Sequence, residues 1–225
     1  MSGRTYQQYC GVAAALDVVG ERWTLLLVRD LLLGPLRYRD LAALQPAMAS
    51  DLLTARLRKL EAHDLVERVE LPPPTSATVY RLTDAGRGLE PVIESLAVAG
   101  ARLLPPALDA PDGWGFRAGW GLATIAEHLG DQAPEGGGIE LVCDGWVTSM
   151  RRDGDRAAVE RAPAPAADAR IIADDRLALG VLTGHVKPAD VEVDGDRRVL
   201  RSWISAIRRT APDVILAPTP RTTRD

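Results

Sequence analysis

Cysteine and histidine are scarce in this chain of 225 residues, which contains two of the first and three of the second. Two cysteines, Cys10 and Cys143, cannot build a disulfide framework, and no cysteine–histidine spacing matches a zinc site. The histidines have no nucleophile at a spacing typical of covalent catalysis. We therefore expect a protein without metal or other cofactor and without enzymatic activity, in a reducing compartment.

Long apolar runs are also missing. None approaches the roughly 20 residues that a transmembrane helix needs, and the first ten residues lack the apolar stretch of a signal peptide. These features predict a cytoplasmic protein that does not enter a membrane. The net charge is −4, which does not favour nucleic-acid binding overall. Local clusters of cations can still bind phosphate, because charge attraction decays within about 10 Å.

The first half of the sequence predicts helices around a hairpin. Apolar residues recur with a helical period in segments 11–20, 22–34, 37–46 and 48–64. In the last of these, Leu53, Leu57 and Leu60 fall on one stripe at 100° per residue, which predicts the face turned to the core. Strand-like segments 65–71 and 78–84 follow, joined by a proline-rich loop, and then a long helix over 86–104.

A proline-rich stretch at 105–113 predicts a linker, after which the pattern changes.

A helical segment at 113–130 precedes two apolar runs around Asp144-Gly145, a strong hairpin signal. A two-residue turn there would pair Cys143 with Trp146, Leu141 with Thr148 and Ile139 with Met150 on one face. Asp153-Gly154 leads to a third strand, 168–174 predicts a buried fourth, and the last helix is expected over 196–209.

The order helix, turn, helix and hairpin is that of a winged helix-turn-helix. The segments ALDVVGERWTLLLVRDLLLGPLRYRDL, LLTARLRKLEAHDLVER and VYRLTDAGRGLEPVI resemble the HxlR-type winged-helix transcriptional regulators over residues 9–104. The resemblance implies a homodimer held by the first helix and the helix after the wing. It also implies recognition helices that enter the major groove of double-stranded DNA at an inverted repeat.

Candidate DNA-binding residues follow from this resemblance and from helix geometry. Arg58 lies opposite Leu53 and is the best candidate for a base edge, because its guanidinium can bridge two guanine acceptors. Arg56 lies nearer the core, where we expect it to reach a phosphate or to pair with an acid. The full set of candidates is Arg37, Tyr38, Arg39, Ser50, Asp51, Thr54, Arg56, Arg58, Lys59, Thr75, Ser76 and Thr78.

Four positions depart from the family's pattern. Ala49 stands where a serine usually starts the recognition helix, and Asp51 puts an acid on its exposed side. Ala77 replaces the wing arginine, and Asp64 replaces the glycine that ends the helix, where a left-handed conformation is expected. These departures motivate one alternative function, a small-molecule binding or carrier protein that has lost DNA recognition.

The second half, especially residues 168–204, resembles the ligand-holding module of sterol-carrier-like proteins. The resemblance covers about residues 113–210 and implies a few-stranded sheet against helices around an apolar cavity. The expected fold class is thus α+β, with a winged-helix domain (1–104), a linker (105–113), a smaller sterol-carrier-like domain (114–210) and a flexible tail (211–225). Candidate contacts to an apolar small-molecule effector are Trp114, Trp120, Trp146, Met150, Leu182 and Trp203.

Cys10 supplies a further alternative, a thiol switch that senses oxidants or electrophiles. The resembled family often has a cysteine at this position. The amino end of the helix that starts near Gly11 would favour the thiolate. A small apolar residue packed at a dimer interface is the competing interpretation of the same cysteine.

Overall fold

The computed structural model describes residues 5–73, 76–101, 103, 117–164 and 167–210. The chain divides into two compact units, Met1–Ile93 and Glu94–Asp225. The expected linker at 105–113 lies outside the described residues, as does the expected tail at 211–225. The proposed domain limits therefore remain predictions.

The first unit opens with four helices that follow the predicted segments: α1 (Gly11–Val19), α2 (Thr24–Leu32), α3 (Tyr38–Leu44) and α4 (Ser50–Ala62). Gly20 ends α1, as the sequence predicts. α2 begins two residues later than the apolar pattern suggests. Trp23 precedes it with φ at 80°, a conformation that large side chains rarely adopt, and Arg22 lies over the Trp23 ring.

One apolar stripe of α4 faces the core, as the helical arithmetic predicts. Leu53, Leu57 and Leu60 are at most 1% exposed, and each buried leucine stabilises the fold by roughly 2 kcal/mol. This burial fixes the rotation of α4 about its own axis. The opposite side, with Arg58, is therefore left at the surface.

The end of α4 is closed by backbone hydrogen bonds around a left-handed residue. The Leu65 amide donates to the Leu60 carbonyl at 2.9 Å, and the Asp64 amide donates to Glu61 at 3.0 Å. This is the Schellman pattern, which needs a left-handed residue after the helix. Asp64 takes that conformation with φ at 55°, so the sequence correctly placed the special position although the residue there is not glycine.

The hairpin after α4 is the wing. Strands β1 (Val66–Glu70) and β2 (Thr78–Leu82) pair antiparallel. Leu36, just before α3, joins the same ladder: its amide donates to the Tyr80 carbonyl at 3.0 Å, and the Tyr80 amide donates back at 2.7 Å. The wing is thus tied to the start of the helix-turn-helix.

A buried carboxylate connects α2 to the turn between α3 and α4. Asp30 is fully buried, pairs with Arg29 at 3.0 Å and accepts a hydrogen bond from Gln45 Nε2 at 2.5 Å. An unpaired charge at such a site would cost several kcal/mol. The polar link therefore holds the helix-turn-helix angle in addition to the leucine core.

The single long helix predicted over 86–104 is wrong, because the structure breaks it in two. A short α5 (Asp84–Arg87) is followed by α6 (Glu90–Ala101), and Leu103 lies in a turn. Pro91 explains the break: it has no N–H, and its ring would clash with the carbonyl four residues earlier in a continuous helix. Near the start of a helix, proline is tolerated.

The second unit is α+β. Its described elements are α7 (Ala118–Leu129), β3 (Gly138–Cys143), β4 (Trp146–Asp153), β5 (Arg156–Glu160), β6 (Ala167–Ile172), α8 (Asp175–Thr183), β7 (Glu192–Gly195) and α9 (Arg197–Thr210). The five described strands form one sheet in the order β5-β4-β3-β6-β7, in which β3 and β6 are parallel.

The predicted hairpin register is confirmed. Cys143 pairs with Trp146, and the two further predicted pairs follow in the same ladder. Asp144 and Gly145 both have positive φ, as a tight two-residue hairpin turn requires. The next turn is displaced by one residue: β4 continues to Asp153, and Gly154-Asp155 forms the loop.

Helices α7, α8 and α9 cover one face of the sheet. Buried side chains from the helices and from that face form one apolar cluster. The opposite face holds a buried acid, Glu140, which is 1% exposed. Its carboxylate pairs with Arg170 of the adjacent strand at 2.8 Å and accepts the Ala164 amide at 2.6 Å. Among the described helices, none is both long and apolar enough to cross a bilayer.

Candidate nucleic-acid interface

The amino ends of α3 and α4 meet at the surface of the first unit. The Tyr38 hydroxyl donates to the Ser50 carbonyl at 2.9 Å and lies 3.2 Å from Thr54 Oγ1. Thr54 in turn donates to Ser50 at 3.0 Å. Tyr38, Ser50 and Thr54 therefore position the two helix starts, where unpaired backbone amides favour phosphate.

Exposed charge surrounds this junction. Arg39 is 75% exposed and only loosely paired with Asp40, at 3.5 Å. Arg37 is half-buried and precedes α3. Arg58 is exposed and forms no ion pair with the described residues. Asp51 is also exposed, in the first turn of α4, where the helix dipole stabilises an acid but a phosphate would repel it.

Two residues predicted to contact DNA, Arg56 and Lys59, have partners within the first unit. Lys59 Nζ donates to the Asp17 carbonyl at the end of α1 and to Glu21 Oε1, each at 2.7 Å. Arg56 also pairs with Glu21. The pairing of Arg56 with an acid fulfils one of the two expectations for that residue. Lys59 lies beside α1 and not on the exposed side opposite Leu53.

Glu21 is the residue that organises this cluster, which we call the Glu21 clamp and define as Glu21, Arg56 and Lys59. The Lys59 hydrogen bond holds the pKa of the Glu21 carboxyl below its ordinary value, and both cations add to the effect. Sequence patterns did not indicate this role, because Glu21 lies 38 residues from Lys59 in the chain.

The residues predicted to contact DNA from the wing lie in different surroundings. Thr78 donates its hydroxyl to Glu70 at 2.5 Å, so it is engaged within the hairpin. Ser76 is exposed, and Thr75 lies outside the described residues. Arg68 was not predicted as a contact. It is exposed on β1 and stacks over Tyr80, 5.8 Å from the ring centre.

Cys10 lies at the amino end of α1 and is exposed with a free thiol. The backbone amides of Ala13 and Val12 lower the pKa of this thiol. The cause is the one expected from sequence, the unpaired amides at a helix start. Cys143 is the opposite case: burial raises the pKa of its thiol to about 12.

The candidate effector contacts divide into core and periphery. Met150, Leu182 and Trp203 are fully buried in the apolar cluster of the second unit. Trp203 Nε1 donates to the Gly137 carbonyl at 3.1 Å. Trp120 and Trp146 are half-buried, and Arg161 lies over the Trp146 ring. Trp114 lies outside the described residues.

The first unit is a winged helix-turn-helix, the architecture of a class of DNA-binding regulators. The family model for the HxlR-like helix-turn-helix matches residues 18–107. The transcriptional regulator YodB of Bacillus subtilis is 31% identical over 83 residues, which are 37% of this chain and 74% of that protein. YvaP of the same organism is 30% identical over 93 residues, covering 41% and 86%.

The chain therefore belongs to the HxlR family of helix-turn-helix transcriptional regulators. Among solved structures, the reduced form of YodB from B. subtilis is 28% identical, with a TM-score of 0.38 and coverage of 42% of this chain and 94% of that one. A redox regulator, HypR, in its oxidized form is 32% identical, with a TM-score of 0.38 and coverage of 40% and 94%.

Proposed function

We propose that this regulator binds an inverted repeat in double-stranded DNA as a homodimer, with α4 in the major groove. The observation that carries the proposal is the junction of α3 and α4, which brings two helix starts and the exposed Arg58 to one surface. The backbone amides at the helix starts and the cations there suit phosphate, and the rotation of α4 points Arg58 outward.

The test is selection of genomic fragments by the full-length protein. We expect recovered sequences to share an inverted repeat with half-sites about one helical turn apart. Arg58→Ala should weaken binding to that repeat by about tenfold or more. Arg58→Lys keeps the charge but loses the planar guanidinium group that can bridge two acceptors. It should therefore weaken the preference for one base over the others at a single base pair. Recovery of no repeat would contradict the proposal.

Dimerisation is supported by apolar side chains that one chain leaves at the surface. Val12 and Leu16, one turn apart on α1, are 69% and 39% exposed. Val92 and Leu96, one turn apart on α6, are 45% and 51% exposed. Apolar stripes of this kind commonly mark protein interfaces, and the two helices are those that the family resemblance assigns to the dimer.

The proposal also includes control of the regulator by an apolar small molecule bound in the second unit. It is supported by Met150, Leu182 and Trp203, which lie in the apolar cluster of the second unit. Trp120 and Trp146 are half-buried in the same unit, which is separate from the helix-turn-helix. A ligand changes DNA binding only if it binds the DNA-competent and incompetent states with different affinity.

Native mass spectrometry of the purified protein tests for a bound molecule, and anilinonaphthalene sulfonate serves as a soluble apolar probe. We expect the probe to bind the second unit, with Trp146→Ala weakening it and Trp23→Ala leaving it unchanged. Probe binding with no DNA binding, and a flat salt dependence of any residual affinity, would instead identify a carrier protein that has lost DNA recognition.

A thiol switch at Cys10 is the second candidate, favoured by its exposure and by the helix amides that lower its pKa. DNA affinity is measured before and after hydrogen peroxide or benzoquinone, for the wild type and for Cys10→Ser. A switch predicts a response in the wild type only. Equal responses would exclude Cys10 as the sensor and leave the DNA-binding proposal intact.

A further inference from the structure

The last helix, α9, presents a face of unpaired cations. No acidic residue occurs within the helix, and its exposed side carries five arginines: Arg197, Arg198, Arg201, Arg208 and Arg209. None of the five forms an ion pair with the part of the chain that the structure describes. Arg209 donates a hydrogen bond to the Ser205 hydroxyl at 2.8 Å, and the Arg208 side chain lies over Gly184.

The five guanidinium groups share one side of the helix. At 100° per residue they fall within a sector of about 120°, and at 1.5 Å per residue they extend over about 18 Å. Along a DNA duplex, 18 Å is about five base pairs at 3.4 Å each. The spacing therefore presents an extended row of positive charge and not a single cationic point.

This face cannot turn inward, because the other side of α9 is anchored in the core. Leu200, Trp203, Ala206 and Ile207 are buried, and the Trp203 hydrogen bond to the Gly137 carbonyl fixes the helix about its axis. The arginines are therefore held outward by packing. Their exposure is a consequence of the fold and not of the side chains' own flexibility.

Two half-buried arginines on the sheet of the second unit are paired with acids. Arg151 pairs with Glu160 at 3.3 Å, and Arg170 pairs with Glu140 at 2.8 Å. Arg156, on β5, is exposed and forms no ion pair with the described residues. Mixed signs are the usual condition of a solvated protein surface. Residues 105–225 have more acidic than basic residues, nineteen against fifteen, so the α9 face is a cationic row within an otherwise acidic region.

We propose that the α9 face binds the phosphate backbone of double-stranded DNA, without reading its bases. The inference rests on the proposed DNA-binding function and extends it to the second unit. Guanidinium groups bind phosphate oxygens with charge-assisted, often bidentate hydrogen bonds. Duplex DNA is favoured over other polyanions because the first unit of the same chain belongs to a DNA-binding family.

The experiment compares two triple variants of the full-length protein that remove the same charge. One is Arg198→Gln, Arg201→Gln and Arg209→Gln on α9; the control is Arg151→Gln, Arg156→Gln and Arg176→Gln, elsewhere in the second unit. Affinity for a 40-base-pair duplex without the operator is measured between 50 and 300 mM salt. Equal thermal unfolding of both variants confirms that each is folded.

We expect the α9 variant to lose at least tenfold in affinity at 100 mM salt, and its log–log salt slope to flatten by up to about 2.7 per protomer, 0.9 for each lost contact. The control should change the slope much less. Equal slopes for the two variants would overturn the proposal. So would an unchanged DNA slope combined with loss of binding to vesicles containing 30% phosphatidylserine, which would identify a lipid surface instead.

Failure here is distinguishable from failure of the proposed function. If the wild type binds its selected repeat and Arg58→Ala weakens it, the regulator function stands whatever the α9 variant does. If the wild type binds neither the repeat nor the 40-base-pair duplex, both proposals fall. Because backbone contacts are independent of sequence, the α9 variant should weaken operator and non-operator binding by similar factors.

Discussion

At the residue scale, Asp51 is an acid at the surface where we propose that DNA binds. It is exposed in the first turn of α4, close to the surface at which we place phosphate. Two unit charges about 4 Å apart in water interact by about 1 kcal/mol. We therefore expect Asp51→Asn to tighten DNA binding by about fivefold, measured by fluorescence anisotropy at 100 mM salt.

The matched control for this change is Asp84→Asn, which removes the same charge from the first turn of α5. It should alter affinity by less than twofold. Asp51→Asn should also lower the free energy of unfolding by a few tenths of a kcal/mol, because the helix dipole stabilises a negative charge in the first turn. Equal gains in DNA affinity for the two variants would show a general charge effect and not a local one.

A second prediction concerns Ala49, because alanine cannot make the side-chain hydrogen bond that an N-cap residue usually makes. It is the N-cap of α4 and provides no side-chain hydrogen bond. Ala49→Ser supplies a hydroxyl that can accept from a free amide, so we expect a gain of about 1 kcal/mol in the free energy of unfolding. Urea titration followed by circular dichroism measures it. The control Ala55→Ser, within the helix, should cost about 0.5 kcal/mol.

At the scale of elements, the Glu21 clamp joins α4 to the end of α1. Because Glu21 is 43% exposed, solvent screening limits its contribution, and we expect Glu21→Gln to cost less than about 1 kcal/mol at pH 7. The pKa of Glu21 is lowered in the folded protein. Its stabilisation is therefore present above the ordinary glutamate pKa and is lost as the pH falls through the folded value.

Urea unfolding of the wild type and Glu21→Gln between pH 7 and pH 3 tests this sign. The difference between the two proteins should shrink as the pH falls through the folded pKa of Glu21. Glu61→Gln, on α4 without an ion pair to the described residues, is the control variant measured in parallel. A difference that stays constant with pH would mean that the clamp acts through packing and not through charge.

A second link between elements is Asp175, which joins the starts of α7 and α8. Its carboxylate accepts the Ala118 amide at 2.6 Å and lies 3.3 Å from Arg117. Burial raises the pKa of Asp175 above its ordinary value. A raised carboxyl pKa means that stability is greatest when the group is protonated and decreases as the pH rises through the folded pKa.

Asp175→Asn keeps an acceptor for the Ala118 amide but cannot ionise. We expect the free energy of unfolding of the wild type to rise relative to this variant as the pH is lowered from 7 to 4. Tryptophan fluorescence reports on this unit, because four of the five tryptophans, all except Trp23, lie after residue 113. A relative loss of wild-type stability over this range would contradict the assignment.

At the scale of the whole molecule, the exposed apolar side chains of α1 and α6 predict the assembly. Leu96→Glu places a charge where we expect a dimer interface, and desolvating it would cost several kcal/mol. Sedimentation equilibrium should show twice the chain mass of 24.2 kDa for the wild type and the single mass for the variant. Leu177→Glu on α8, at 37% exposure, is the control and should leave the dimer intact.

Local features of the fold were predictable because neighbouring residues encode them. The helices α1 to α4, the leucine stripe of α4 and the register of the Asp144-Gly145 hairpin follow from periodicity and turn chemistry. The break before α6 was not predicted, because apolar periodicity alone suggested a continuous helix through Pro91. The left-handed position at Asp64 was predictable from its place directly after a helix.

The sequence by itself determined the family, the winged-helix order and the outward side of α4. Only the tertiary structure decided which charged side chains are engaged within the protein. Lys59 pairs with Glu21 at a separation of 38 residues, and Asp175 accepts the Ala118 amide at a separation of 57. Helical period and turn preference act over a few residues, whereas ion pairs form between whichever groups the packed elements bring together. The cationic row of α9 depends on both: the sequence supplies its arginines, and the packing of Trp203 in the core fixes their orientation.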